Sequence, residues 1–191
     1  MEFMIKIDQG KRKKIGIWLL ALILFTMHAL IRPAHAGEGK PWKQIYSRTG
    51  DCCIAFPSMP KLVQQALTVS EEGDRLTYDV YLAPLNEKAL CLLLVANYPF
   101  ALKNGHELAG IEGLLNGIVG HHPDNKLIFG NVIDQQGHAA IDFLVQSPSS
   151  YFRGRALMKG RKLYLIAIEG KQDELDEAAF RKFSQSFALT P

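Results

Sequence analysis

The sequence predicts an α+β domain built on a mostly antiparallel β-sheet with a helix on each face. Three observations carry this. Several short segments either alternate apolar and polar residues or are apolar throughout, and Gly, Pro and polar turns separate them, as they do strands. Only two stretches show helical spacing, one mid-chain and one near the C-terminus. Two late segments are joined by a two-residue loop ending in Gly, which makes them an antiparallel hairpin. A sheet apolar on both faces needs a cover on each side, and one helix per face supplies it. The 191 residues suit a single domain, and 48% hydrophobic against 21% charged is the balance of a folded chain.

The first residues stand apart from this domain. Lys11, Arg12, Lys13 and Lys14 precede an uncharged apolar run from Ile15 to Ile31, and Ala34-His35-Ala36 follow it. A basic segment, an apolar segment and small residues flanking a variable one make a secretory signal peptide. Signal peptidase admits only small side chains at Ala34 and Ala36, so cleavage is expected before Gly37. Residues 1–36 are then the signal peptide, residues 37–191 the domain, and the location periplasmic or secreted. The competing expectation is that residues 15–31 stay as an inner-membrane anchor, their 17 residues lying at the short limit for crossing a bilayer. The first cysteine, Cys52, lies far past the apolar run, so the lipoprotein cysteine is missing.

Removing residues 1–36 changes the charge. Six of the 22 Lys+Arg and two of the 19 Asp+Glu leave with them, so the formal +3 of the whole chain becomes about −1. A nucleic-acid partner is not expected, because such a partner calls for a basic face. The expected membrane contact is confined to the N-terminal segment when it is not cleaved.

The elements follow in order. Trp42, Ile45 and Tyr46 tie down the start of the domain. Residues 52–56 form a strand stopped by Pro57, and residues 61–69 form another. In residues 75–83, Leu76, Tyr78, Val80 and Leu82 share one face, while Thr77, Asp79 and Tyr81 share the other. Residues 89–98 are apolar throughout, as in a central strand buried on both sides. Leu108, Ile111, Leu115, Ile118 and Val119 then fall at helical spacing, with Asn104 as expected N-cap and Gly120 as stop. Gly110, Gly113 and Gly117 weaken that helix by up to about 1 kcal/mol each. Four more strands cover roughly 126–134, 138–146, 150–158 and 161–169, the last two joined through Lys159-Gly160 as a type I′ turn. Asp173 is the expected N-cap of the closing helix, whose inward residues are Leu175, Ala179, Phe180 and Phe183.

The stretches CCIAFPSMPK, YDVYLAP, FRGRALMKGRKLYLIAIEG and FRKFSQSFAL resemble the PsbP/Mog-type α/β/α sandwich and small secreted bacterial proteins that share it. The resemblance covers most of the chain from Asp51 onward and rests on structural motifs: a strand stop, a hairpin and aromatic residues at a helix end. It implies a non-catalytic accessory or binding domain. PsbP relatives bind a membrane photosystem, and the Mog type binds a small GTPase, a partner that an exported chain would not meet. The families share the fold and not a site, so the resemblance assigns no functional residue.

Candidate chemistry is sparse. Cys52, Cys53 and Cys91 all survive cleavage. Adjacent strand residues point to opposite faces, so Cys52 and Cys53 suit neither a vicinal disulfide nor a shared metal. Two outcomes stay open: buried thiols, or one structural disulfide from Cys91 to Cys52 or Cys53. Zinc ligation by His121, His122 and Asp124, with His106 or His138, would need these groups to converge, whereas adjacent histidines diverge and H-x-x-x-H spacing is missing. On the hairpin, Arg155 is expected opposite Tyr164 and Arg153 opposite Ile166, with Lys162 on the same face and Asp142 within reach. Arg153, Arg155, Lys162 and Tyr164 are therefore candidate surface contacts, against the alternative of an internal ion pair on the sheet. G-x-S-x-G, H-E-x-x-H, the P-loop and G-x-G-x-x-G are all missing. No metal or cofactor is expected. The expected function is an accessory or protein-binding module at a bacterial envelope, with a small-ligand or metal-binding protein next and an enzyme last.

Overall fold

Alternate residues of one apolar strand enter two different cores. In the structure, a computed structural model describing residues 41–68, 73–100 and 106–190, Leu92 and Leu94 lie in one buried cluster, and Cys91, Leu93 and Val95 in another. The expected signal peptide and Asn104 lie outside the described residues. The strand is β5, Ala89–Asn97, preceded by β1 (Lys43–Ser47), β2 (Cys52–Phe56), β3 (Lys61–Thr68) and β4 (Arg75–Pro84). After it come helix α1 (Glu107–Gly120) and strands β6 (Lys126–Gln135), β7 (His138–Gln146), β8 (Ser150–Lys159) and β9 (Lys162–Lys171). Helix α2 (Glu177–Gln185) and a short strand β10 (Ala188–Leu189) close the chain.

Seven strands form one sheet in the order β3-β4-β5-β9-β8-β7-β6, and every pair in it is antiparallel. A second sheet has the order β1-β2-β10. The mostly antiparallel α+β class expected from the sequence is the observed one. The first core joins Leu76, Tyr78, Val80 and Leu82 of β4 to Ile111, Leu114, Leu115 and Ile118 of α1. Burying those four helix side chains contributes about 1.5–3 kcal/mol each. That exceeds the cost of Gly110, Gly113 and Gly117, about 1 kcal/mol each, so packing holds a helix that propensity disfavours. The second core joins Cys91, Leu93 and Val95 to Cys52, Ile54 and Phe56 of β2 and to Phe180 and Phe183 of α2.

Several boundaries differ from expectation for physical reasons. The β8–β9 loop is Gly160-Arg161, not Lys159-Gly160, because Lys159 pairs with Lys162. Gly160 takes φ +60° at the first central position, as a type II′ turn requires. Arg155 therefore lies opposite Ile166 and Arg153 opposite Ile168. The slip is two residues, and the pleat repeats every two, so each side chain keeps its face while changing its partner. Helix α2 starts later than expected. Asp173 lies in a 3-10 turn, Gln172–Glu174, and Asp176 is the N-cap, its carboxylate accepting from Ala179 N–H at 2.8 Å. The N-cap of α1 is His106, which makes no side-chain cap bond.

Candidate functional site

The expected hairpin arginines are locked inside. Arg153 is only 7% exposed. Its guanidinium bonds Glu177 at 2.9 Å, Asp142 at 3.2 Å and the carbonyl oxygens of Phe143 and Gly154 at 3.1 and 3.2 Å. It also stacks over the Phe180 ring at 4.0 Å and the Phe129 ring at 5.0 Å. Arg155 bonds Asp142 at 2.6 Å and Gln135 at 2.7 Å. Register explains the triad, because Asp142 of β7 lies directly opposite Arg155 of β8. The surface-contact expectation is thus corrected for Arg153, which pins α2 to the sheet, and Arg155 is committed to the same network.

Lys162 and Tyr164 sit elsewhere, at the tip of the hairpin. Tyr164 is fully buried and donates to the Gly50 carbonyl at 2.7 Å. Burial pushes its phenol up. Lys162 pairs with Asp51, and that hydrogen-bonded ammonium holds the Asp51 carboxyl below its ordinary value. Both residues line a groove of about 480 Å³ whose walls also carry Arg75, Lys159 and Arg161. Among the described residues that line it, four are cations and one, Asp51, is a carboxylate. Tyr98 lines the same groove, and its ring lies 6.3 Å from that of Phe100, which is 54% exposed. Three of the four cations come from the hairpin tip Lys159-Gly160-Arg161-Lys162, which was legible as a charged turn. Arg75 and Tyr98 arrive from β4 and the end of β5, and no local pattern links them to the tip.

The histidine pair lies at the opposite end of β8 and β9. His121 caps the C-terminus of α1, and both His121 and His122 line a cavity of about 450 Å³. His106 is at the far end of the same helix and His138 begins β7, so neither joins them. His122 Nδ1 accepts from Asp124 N–H at 3.2 Å, a local turn bond. Among the described residues no group of three or more His, Cys, Asp or Glu could hold a metal ion.

Cys52, Cys53 and Cys91 are free thiols and all buried. Burial pushes Cys52 up to about 12 and Cys91 further up, which suppresses the nucleophilic thiolate. A separate polar network fixes the β1–β2 turn. Ser47 Oγ accepts from Tyr81 OH at 3.1 Å and from Gly50 N–H at 3.1 Å, while Thr49 bonds Asp79.

This architecture defines the class: an α+β domain with a PsbP-like fold. The solution structure of cyanobacterial PsbP (CyanoP) from Synechocystis sp. PCC 6803 superposes with a TM-score of 0.53 over 84% of this chain and 99% of that one, at 12% identity. A Pseudomonas aeruginosa protein of unknown function aligns over 80% of this chain and 99% of its own, with a TM-score of 0.46 and 14% identity. No family model matches the sequence, and no curated protein does. At 12% identity, the superposition on CyanoP shows a shared fold and nothing further.

Proposed function

We propose that this is an exported, non-catalytic accessory module that binds another envelope protein through the basic groove at the hairpin tip. The N-terminal segment supports export, with residues 1–36 removed and residues 37–191 acting as one domain. The PsbP-like fold supports an accessory role by analogy only. In this reading the domain is an α/β/α sandwich, with α1 over one face and α2 with the small sheet over the other.

The observation that carries the binding reading is the groove itself. Among its described lining residues are Arg75, Lys159, Arg161, Lys162, Asp51 and Tyr98, and the exposed Phe100 lies against Tyr98. Arginine and aromatic residues are the types that anchor protein interfaces. Asp51 on Lys162 occupies the position that a partner carboxylate would take, so the groove suits an acidic surface.

The test is site-specific photo-crosslinking in the producing cell, with the photoreactive residue at Arg161. A discrete adduct is expected, and it should be lost when Arg75 and Lys159 are both changed to Glu. An adduct unaffected by that double reversal, or none at all, would refute the reading. A second reading, a small-ligand protein, is favoured by the cavity beside His121.

A further inference from the structure

The strand at each end of a sheet presents a row of backbone N–H and C=O groups on its outer side, and a long, apolar one is a template for another strand. In the main sheet the end strands are β3 and β6. β6 has ten residues, and no other described strand pairs with its outer side. Two of its apolar side chains are left in water: Ile128 is 50% exposed and Val132 53%. Val132 lies directly opposite Ile141, a fully buried member of the first core. It therefore points to the core face and is left uncovered at the margin of the sheet.

The charges of β6 sit at its two ends, with opposite signs. Lys126 opens the strand, Asp134 stands next to its last residue, and the seven residues between them carry no charge. An antiparallel partner runs the other way, so a second copy brings its Asp134 to the Lys126 end and its Lys126 to the Asp134 end. The opposite edge lacks this property. β3 has Lys61 as its one charged residue, which a second β3 would meet with uncharged groups.

The middle of the strand sets the register. With a two-fold axis at Gly130, that residue lies opposite itself and Phe129 lies opposite Asn131. The pairing of β6 with β7 skips Ile128, a bulge, so beyond it Leu127 of one copy meets Val132 of the other. Residues opposite each other must share a face, and these two do. Leu127 packs against the first core, and Val132 faces the same way as Ile141 of that core.

We propose that β6 pairs antiparallel with β6 of a second copy of this chain, about Gly130, so that two seven-stranded sheets become one across a two-fold dimer. None of the described residues lining the basic groove belongs to β6, so the proposal does not depend on that groove.

The test is sedimentation of the chain, purified as the producing cell matures it, over a concentration series, with isotope-filtered nuclear magnetic resonance on a mixture of labelled and unlabelled chain. A reversible monomer–dimer equilibrium is expected, with intermolecular contacts between the methyl groups of Leu127 and Val132. Val132→Lys sets a cation against Leu127 twice per dimer and should abolish association. Lys126→Glu turns two end attractions into two repulsions and should weaken the dimer roughly tenfold. Both residues are exposed, so neither change should alter thermal unfolding at a dilution where the parent chain is monomeric. A monomer at every concentration up to about 1 mM would overturn the proposal, and an edge that takes up a strand of a different protein gives that result. A dimer unaffected by Val132→Lys, or intermolecular contacts confined to other residues, would overturn it as well. A dimer that stays as tight in Lys126→Glu would overturn the placement of the strand ends.

Discussion

Arg153 shows how one residue changes role when its surroundings are known. From sequence it is a cation on a strand, available for a partner. In the fold its charge is balanced by Asp142 and Glu177 and its plane is covered by Phe180. The difference lies in α2, which brings Glu177 and Phe180 from the far end of the chain, a placement that strand periodicity does not encode. Arg153→Ala should cost about 3–5 kcal/mol, because it strands buried acceptors and an ion-pair partner. Glu177 is 48% exposed, so Glu177→Gln should cost less than about 1 kcal/mol. Urea midpoints of the two variants measure both values, and equal losses would show that the guanidinium does not organise the network. Gly154 next to it has a steric role: a Cβ there would lie 2.3 Å from the Phe143 ring. Strand alternation alone gives no reason for that glycine.

At the scale of elements, most strands are legible and their ends are less so. β2 and β7 match the expected bounds, and β4, β5, β6, β8 and β9 differ by one or two residues. Alternation and apolar runs report directly on which face is buried, so these elements carry their own signal. β1 and β10 do not. β10 has two residues, both half-buried, and exists because β2 offers it an edge. Asp176 and not the expected Asp173 caps α2, because both are good caps by type and the intervening 3-10 turn decides between them. Asp176→Ala should lower stability by about 1 kcal/mol, and Asp173→Ala by a few tenths at most. Thermal unfolding of both variants distinguishes the two, and the reverse order would relocate the cap. The candidate sites were only partly legible for a related reason. Lys162 and the histidine pair stand out locally, but their companions reach them through sheet order.

At the scale of the whole molecule, the buried acids set an upper pH limit. Free values are 9.0 for a thiol and 10.0 for a phenol, and burial raises Cys52 and Tyr151 to about 12 in the fold. Cys91 and Tyr164 are raised as well. Between those values the unfolded chain gives up protons that the folded chain keeps. Their contribution is therefore complete below about pH 9 and declines as pH rises toward 12, by up to about 1.4 kcal/mol per pH unit for each group. The urea midpoint should accordingly be lower at pH 10.5 than at pH 8. An unchanged midpoint would mean that these groups are open to solvent in the native state.

The small sheet has a consequence for timing. β2 lies near the start of the described chain, yet its second edge is filled by β10, and Ala55 N–H donates to Ser186 Oγ across 131 residues. A chain crossing a membrane N-terminus first would deliver Cys52, Ile54 and Phe56 long before the residues that close over them. Until Phe187 and Leu189 arrive, those side chains have an incomplete cover. For a chain delivered in that order, the closing step would be a clasp made at the end of delivery, keeping the chain threadable during passage and fixing its shape only after release.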